Sequence, residues 1–339
     1  MIRTRHALVS VLLAASLAAC GSASGAARPG GQEVTELRYQ GSAGAVTFPE
    51  LAQELGYLGD LRLTWVGNTV SGPQDIQSAA TGQTDFGGAF NGAVIKLVAA
   101  KAPIKAVVGY YGSDEDSYIG YYVADGSPIK GPRDLIGKKI GVNTLGAHLE
   151  AVLKEYLKRG GLTPDEIGRV ELVVVPPANT EQALRQGRID VAALSGVLRD
   201  KALERGGIHP LLKDIDLFGS FTAGSVVLRE DFIEDNPNTT RTFVEGFAKA
   251  VEWTQTHSRD EVIAKYREII AKRGRNEDAT TVGFWKSSGV RGRGGVIDAG
   301  EFQTWIEWLE REGEIRPGQV KASDLYTNEF NPFGNGSAS

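Results

Sequence analysis

The groups able to do covalent or metal chemistry are sparse. The chain has four histidines, His6, His148, His209 and His257, and one cysteine, Cys20. The histidines lie far apart, so no HExxH helix or histidine-rich metal spacing exists. A lone cysteine excludes a disulfide framework and a thiolate cluster. No Ser–His–Asp order stands out. The remaining chemistry is recognition, and its natural place is the carboxyl end of each strand of an α/β sheet, where loops lead into helices. Helix starts there offer free N–H groups and partial positive charge, so an anion binds without lysine or arginine.

Those ends are found by periodicity. Strand-like apolar runs fall at 37–40, 61–66, 105–111, 120–123, 139–142, 171–175, 191–194 and 225–228. Gln40, Gly41 and Ser42 close the first run; the glycine lets a ligand approach the backbone, and its neighbours offer hydrogen bonds. Asn68, Thr69 and Ser71 follow the second run and serve either a ligand or the cap of a helix beginning near Pro73. In the segment 143–148, the Thr144 hydroxyl with the N–H groups of Gly146 and Ala147 would form an anion-binding helix start. His148 is either a ligand donor there or a partly buried helix residue. Ser195 and Gly196 follow the run 191–194. Aromatic residues Phe90, Tyr110, Tyr111, Tyr118, Tyr121, Tyr122 and Phe221 crowd the same ends and suit a planar or aryl ligand, although Tyr121 and Tyr122 read better as strand packing. The basic loop 291–295 fits no phosphate-binding glycine pattern and reads as a surface turn.

The elements that position these ends alternate between strand and helix. Leu61, Leu63 and Trp65 show a period of two, whereas Leu145, Leu149, Val152, Leu153 and Tyr156 share one helical face. The same is true of Phe243, Phe247 and Val251, and of Phe302, Trp305, Ile306 and Leu309. Capping boxes are expected at Thr163, at Asn179 with Gln182, and at Ser258. The alternation predicts an α/β fold with mostly parallel sheets. It breaks near 117–123 and 220–228. A chain that leaves one lobe, builds a second and returns is expected, with lobe one at 34–119 plus 228–330 and lobe two at 120–227. The 339 residues suit two domains, and 41% hydrophobic residues suffice for real cores. The net charge of −5, without a basic run, argues against a nucleic-acid partner.

The amino terminus has its own logic. Arg3, Arg5 and His6 precede an apolar run of 13 residues, Ala7 to Ala19. Such a helix is about 20 Å long, short of the roughly 30 Å hydrocarbon layer, so it reads as an export signal over 1–19. Leu17-Ala18-Ala19-Cys20-Gly21 resembles a bacterial lipobox, which implies lipidation of Cys20 and anchoring outside the cell membrane. Residues 20–33 are small and polar and read as a flexible tether, and 331–339 as a frayed tail.

Three sets of segments carry a family likeness: residues 37–42, the helix end Gly56-Tyr57-Leu58 and Gly82-Gln83-Thr84-Asp85-Phe86-Gly87; Asp134-Leu135-Ile136-Gly137-Lys138-Lys139-Ile140-Gly141-Val142; and 178–190, which ends Gln186-Gly187-Arg188-Ile189-Asp190. In order and spacing they resemble the nitrate/sulfonate/taurine branch of solute-binding proteins of ABC importers, which includes thiamine-pyrimidine binders. The resemblance implies a type II periplasmic-binding-protein fold, with two α/β lobes joined by two crossing hinge strands. It implies capture of a small anionic or planar solute (sulfonate-, nitrate-, aryl-carboxylate- or pyrimidine-like) and delivery to a permease driven by a cytoplasmic ATPase. It also implies a monomer without cofactor or catalytic residues. In the family the loop holding Phe90 and Asn91 meets the ligand, Phe90 as a wall and Asn91 as a polar contact. Many sulfonate binders carry tryptophan and proline near the place of Ser195; their absence argues against a taurine-like ligand. The alternatives are an enzyme of the same fold, resembling pyrimidine synthases, or a sensory or adhesive surface lipoprotein.

Overall fold

A computed structural model describes residues 32–334. The export signal, the Cys20 lipobox and most of the tether lie outside those residues.

The strands are β1 (Glu36–Gly41), β2 (Arg62–Asn68), β3 (Phe86–Phe90), β4 (Ile104–Ser113), β5 (Ile119–Ala124), β6 (Lys139–Val142), β7 (Glu171–Val174), β8 (Val191–Ser195), β9 (Ile208–Lys213) and β10 (Phe221–Arg229). The helices before the first crossing are α1 (Phe48–Glu54), α2 (Gly72–Ala80) and α3 (Asn91–Ala99). Between the crossings come α4 (His148–Arg159), α5 (Pro164–Ile167), α6 (Pro177–Arg185), α7 (Gly196–Glu204) and α8 (Asp214–Phe218). After the return come α9 (Glu230–Asp235), α10 (Pro237–Thr256), α11 (Arg259–Lys272), α12 (Ala299–Arg311) and α13 (Ala322–Leu325).

Lobe one holds β2-β1 and β3-β10-β4; lobe two holds β7-β6-β8-β5-β9. The Asp85 N–H donates to Arg38 O at 2.9 Å, which sets β1 beside β3. The chain crosses between β4 and β5, and returns between β9 and β10. Because β10 pairs with β3 and β4 along its length, lobe one resumes at Phe221, earlier than the boundary expected at 228. The sheets are mixed rather than mostly parallel. β10 runs antiparallel to both neighbours in lobe one, and so does β5 in lobe two. Each is the strand that enters from the opposite lobe, so its direction is set by the crossing rather than by a βαβ unit.

Apolar faces bury as their periods require. Phe243, Phe247 and Val251 of α10 pack on one side of lobe one's sheet, and Phe302, Trp305 and Ile306 of α12 on the other. The capping boxes at Thr163 and Ser258 are present. Asn179 is not a cap: Pro177 takes the first helical position, so α6 begins ahead of it. Leu145 is exposed, because Gly146 turns with φ 70° and α4 begins only at His148. Two end segments are better anchored than expected. The Glu33 carboxylate accepts the backbone N–H groups of Asn238 and Thr239 at 3.2 and 2.6 Å, capping α10. Asn331 is buried and donates to Gly294 O at 3.0 Å.

Candidate functional site: the facing rims of the two lobes

The lobes meet at the carboxyl ends of their strands. On one side the contact is polar. The Ser71 hydroxyl, N-cap of α2, accepts from the Gln74 N–H at 3.4 Å and donates to Thr144 Oγ1 of the opposite lobe at 3.3 Å. Asn143 Nδ2 donates across the same gap to Val70 O at 2.9 Å. Of the two roles open in the sequence, Ser71 takes the cap, and its hydroxyl also bonds to the opposite lobe.

Behind this contact lies the floor of lobe one. Asp75 is in the next turn of α2, with its N–H bonded to Ser71 O at 3.0 Å. Its carboxylate Oδ2 accepts the Gly88 N–H at 2.7 Å, whereas Oδ1 is buried without a hydrogen-bond partner. Burial pushes this carboxyl up to about 7, against the lowering effect of the Gly88 bond. The Tyr110 ring covers Gly88: a Cβ there would stand 2.8 Å from the ring carbon Cζ. Gln40 is half-buried at the end of β1, with Oε1 unpartnered. A Cβ at Gly41 would meet Arg275 Nη1 at 3.2 Å and Asn68 Oδ1 at 3.3 Å, so only glycine leaves this corner open. Asn68 is exposed and accepts from Trp65 Nε1 at 3.1 Å, while Ser42 is exposed. Arg275 donates to the Tyr39 hydroxyl at 2.8 Å, pairs with Glu50 at 3.0 Å and lies over the Trp65 ring. Tyr39, Glu50, Trp65 and Arg275 border a recess of about 250 Å³ on lobe one, together with Lys272 and Arg273.

On the other side the contact is aromatic. His148, first residue of α4, stacks on Phe90 with centroids 4.8 Å apart and meets Phe221 and Trp305 edge-on. Phe90 in turn meets Trp305 at 4.5 Å. Neither ring nitrogen of His148 has a hydrogen-bond partner, and burial pushes its pKa down to about 3, so the ring is neutral. Asp214 Oδ2 lies 3.8 Å from Nε2, but that carboxylate is engaged by the Ser113 hydroxyl at 2.5 Å and the Ile119 N–H at 3.0 Å. Burial pushes Asp214 up to about 6. The space enclosed between Phe90, Lys96, Gly146 and Trp308 is about 10 Å³, room for about one water.

The structure therefore separates the expected residues. Thr144 reaches across to Ser71, and Gln40, Gly41 and Asn68 gather at the end of β1. Phe90 is buried against His148 as interlobe packing rather than as an open wall. Asn91 is fully buried and accepts from the Ser225 hydroxyl at 2.8 Å, a core bond between α3 and β10 that occupies its acceptor. The Gly146 N–H donates to Glu150 Oε2 at 2.8 Å, so it is not a free donor. Ala147 is the buried N-cap of α4. Ser195 is exposed at the end of β8, and its hydroxyl makes no capping bond. Sequence reasoning missed Asp75. The signal was faint: a carboxylate one turn beyond a Ser-Gly-Pro helix start, and the only charged residue of that helix.

The NMT1/THI5-like family model matches residues 50–260. A Brucella abortus (strain 2308) protein bearing the name "Putative binding protein" is 24% identical over 206 residues, 59% of this chain and 60% of that protein. The matched stretch thus spans about 60% of the length of that curated relative. Among solved structures, the periplasmic aliphatic sulphonate-binding protein SsuA of Escherichia coli is similar at a TM-score of 0.62 and 21% identity, covering 86% of this chain and 91% of that one. The periplasmic nitrate-binding protein NrtA of Synechocystis PCC 6803 gives 0.68 and 13%, covering 88% and 87%. The desulfurization enzyme DSZB gives 0.58 and 16%, covering 88% and 97%. At these identities the likeness speaks for the fold.

Proposed function

The chain belongs to the NMT1/THI5-like family, and from that membership we propose that it is the solute-binding component of an ABC importer. In this reading it encloses a small molecule between its lobes and delivers it to a membrane permease. The observation that carries the reading is the pair of crossings between separate sheets, with facing rims joined by side-chain contacts rather than by a continuous sheet. Two rigid bodies joined by two short crossings open and close by a hinge. The polar rim supplies hydrogen bonds through Ser71, Thr144, Gln40, Asn68 and Ser195. It needs no catalytic group.

Export through residues 1–19, lipidation of Cys20 and action as a monomer complete the proposal. The DSZB likeness leaves the fold compatible with catalysis, but the reactive side chain nearest the rims, His148, is buried in aromatic packing rather than presented to a substrate. A thermal-shift screen over sulfonates, nitrate, aryl carboxylates, pyrimidines and amines tests the reading. A solute at 100 times its Kd stabilises the closed protein by about 2.7 kcal/mol, and failure of the whole panel to move the transition of folded protein would overturn it. Mass spectrometry of the protein purified from membranes tests Cys20: a diacylglyceryl adduct supports anchoring, and an unmodified thiol contradicts it.

A further inference from the structure

We infer that Asp75 makes the interlobe cleft select a solute presenting an N–H donor, an amine or amidine, over a sulfonate or nitrate. The inference rests on the solute-binding role proposed above and deepens it.

A buried carboxyl normally has partners for both oxygens. Here Gly88 N–H serves Oδ2 and nothing serves Oδ1, in a side chain only 8% exposed. Leaving an acceptor dry is costly and is not needed for the fold, because the bond that ties α2 to β3 uses Oδ2 alone. The free oxygen belongs to the turn of α2 just behind Ser71, the residue that touches the opposite lobe. Beside it α2 and β3 pack closely. A Cβ at Gly72 would stand 3.1 Å from Ala89 Cα, and Gly88 is covered by the Tyr110 ring. Burial first, and then the neighbouring Tyr111 and Asp75, push the Tyr110 hydroxyl up, so it stays protonated beside the carboxyl. Gln40 adds a second unpartnered acceptor at the same edge of lobe one, although its amide can turn, so Asp75 carries the argument.

Among the described residues, Arg275 Nη1 is a buried donor without a hydrogen bond, but this cation and two lysines already face carboxylates. Arg275 is paired with Glu50 at 3.0 Å, Lys96 with Glu314 at 2.9 Å, and Lys286 lies 3.4 Å from Asp200. A sulfonate or nitrate settling beside Asp75 would face a carboxyl that is at least partly ionised at neutral pH, and like charges repel in a low-dielectric site. An N–H donor meets the opposite situation. It supplies the missing partner of Oδ1, and a cationic donor strengthens that bond and drives the carboxyl to ionise.

The experiment is isothermal titration calorimetry of the wild-type chain and Asp75→Asn with four probes: benzamidine, 4-aminopyridine, sodium nitrate and sodium ethanesulfonate. The expected result is binding of an N–H probe by the wild type, weakened about 10- to 100-fold in the variant, the range of a lost charged hydrogen bond. At pH 6, benzamidine binding to the wild type releases a proton, read from two buffers of different ionisation enthalpy; the variant releases none. Binding of nitrate or ethanesulfonate with equal affinity by both proteins overturns the inference and leaves the solute-binding role standing. Heat from none of the four overturns the inference, and the wider thermal-shift panel then decides the role separately. Folding of the variant is its own readout. Asparagine keeps an acceptor for Gly88 and removes a buried charge, so its melting temperature at pH 8 should equal or exceed wild type. A lower one assigns Asp75 to the fold and overturns the inference.

Discussion

The two halves of the interface between the lobes are built from opposite materials. Around His148 the closure is aromatic and dry: Phe90, Phe221 and Trp305 enclose the ring, and the nearby Asp214 is occupied by Ser113 and Ile119. Around Ser71 and Thr144 the closure is thin and polar, and unpartnered acceptors stand behind it on Asp75 and Gln40. Packed rings give closure its apolar driving force but no chemical discrimination. Unsatisfied polar groups cost closure free energy until a partner of matching chemistry arrives. The molecule thus keeps holding and choosing in different places.

Substitutions should separate the halves sharply. Trp305→Ala on the aromatic side is expected to cost about 3–5 kcal/mol in urea unfolding, the range for a fully buried large aromatic in a side chain that is 1% exposed. A loss below about 1 kcal/mol would mean that this side does not hold the lobes.

Acid is the next lever. His148 has its folded pKa pushed down to about 3, from an ordinary 6.5. The unfolded chain therefore takes up a proton that the fold refuses, and His148's contribution is lost as pH falls from about 6.5 towards 3. At pH 5 the loss is about 2 kcal/mol. Asp214, pushed up to about 6, has the opposite sign: its folded form binds a proton first, so it adds stability as pH falls from about 6 towards 4. His148→Phe removes the first effect and keeps the second. The variant's stability relative to wild type should therefore rise between pH 8 and pH 5, as measured by urea midpoints. A difference constant with pH would place His148 in contact with water.

Two smaller effects complete the contrast. Glu314 pairs with Lys96 at 2.9 Å and reaches Lys154 of the opposite lobe at 3.7 Å, with side chains about a third exposed. Glu314→Gln should cost less than about 1 kcal/mol, and less still in 0.5 M salt. Thr144→Ala should change stability by no more than about 0.5 kcal/mol, since its partner Ser71 keeps its capping role, yet it should weaken any solute that moves the thermal transition. A large stability loss at Thr144 would erase the distinction between the two halves.

How much of this was legible in the sequence depends on the range of each signal. The boxes at Thr163 and Ser258 span four residues each, and the structure reproduces them. Eight of the ten strands among the described residues were legible as apolar runs. β3 was hidden by its glycines, Gly87 and Gly88, and β9 holds Pro210, which breaks the pattern of a strand interior yet is tolerated at the edge of lobe two's sheet. The antiparallel course of β5 and β10 was not legible, because direction is a property of the crossing and not of residue pattern. The rims were half legible. Strand ends are local, so Gln40, Asn68 and Thr144 could be named. Which groups are already consumed is not local. Asn91 finds Ser225 from 134 residues away, and the Phe90–His148–Trp305 cluster joins three distant segments. Asp75 became visible only when Gly88 and Tyr110 were placed against it.

The most direct test of the hinged-clamp account is the distance between the lobes. Spin labels at the exposed positions Gln77 of α2 and Glu171 of β7, introduced as cysteines in a Cys20→Ser chain, report that distance by double electron–electron resonance. The account predicts a broad or two-peaked distribution in the free protein, collapsing to a single short distance when a compound that raises the melting temperature is added. A stabilising compound that leaves the distribution unchanged would contradict it.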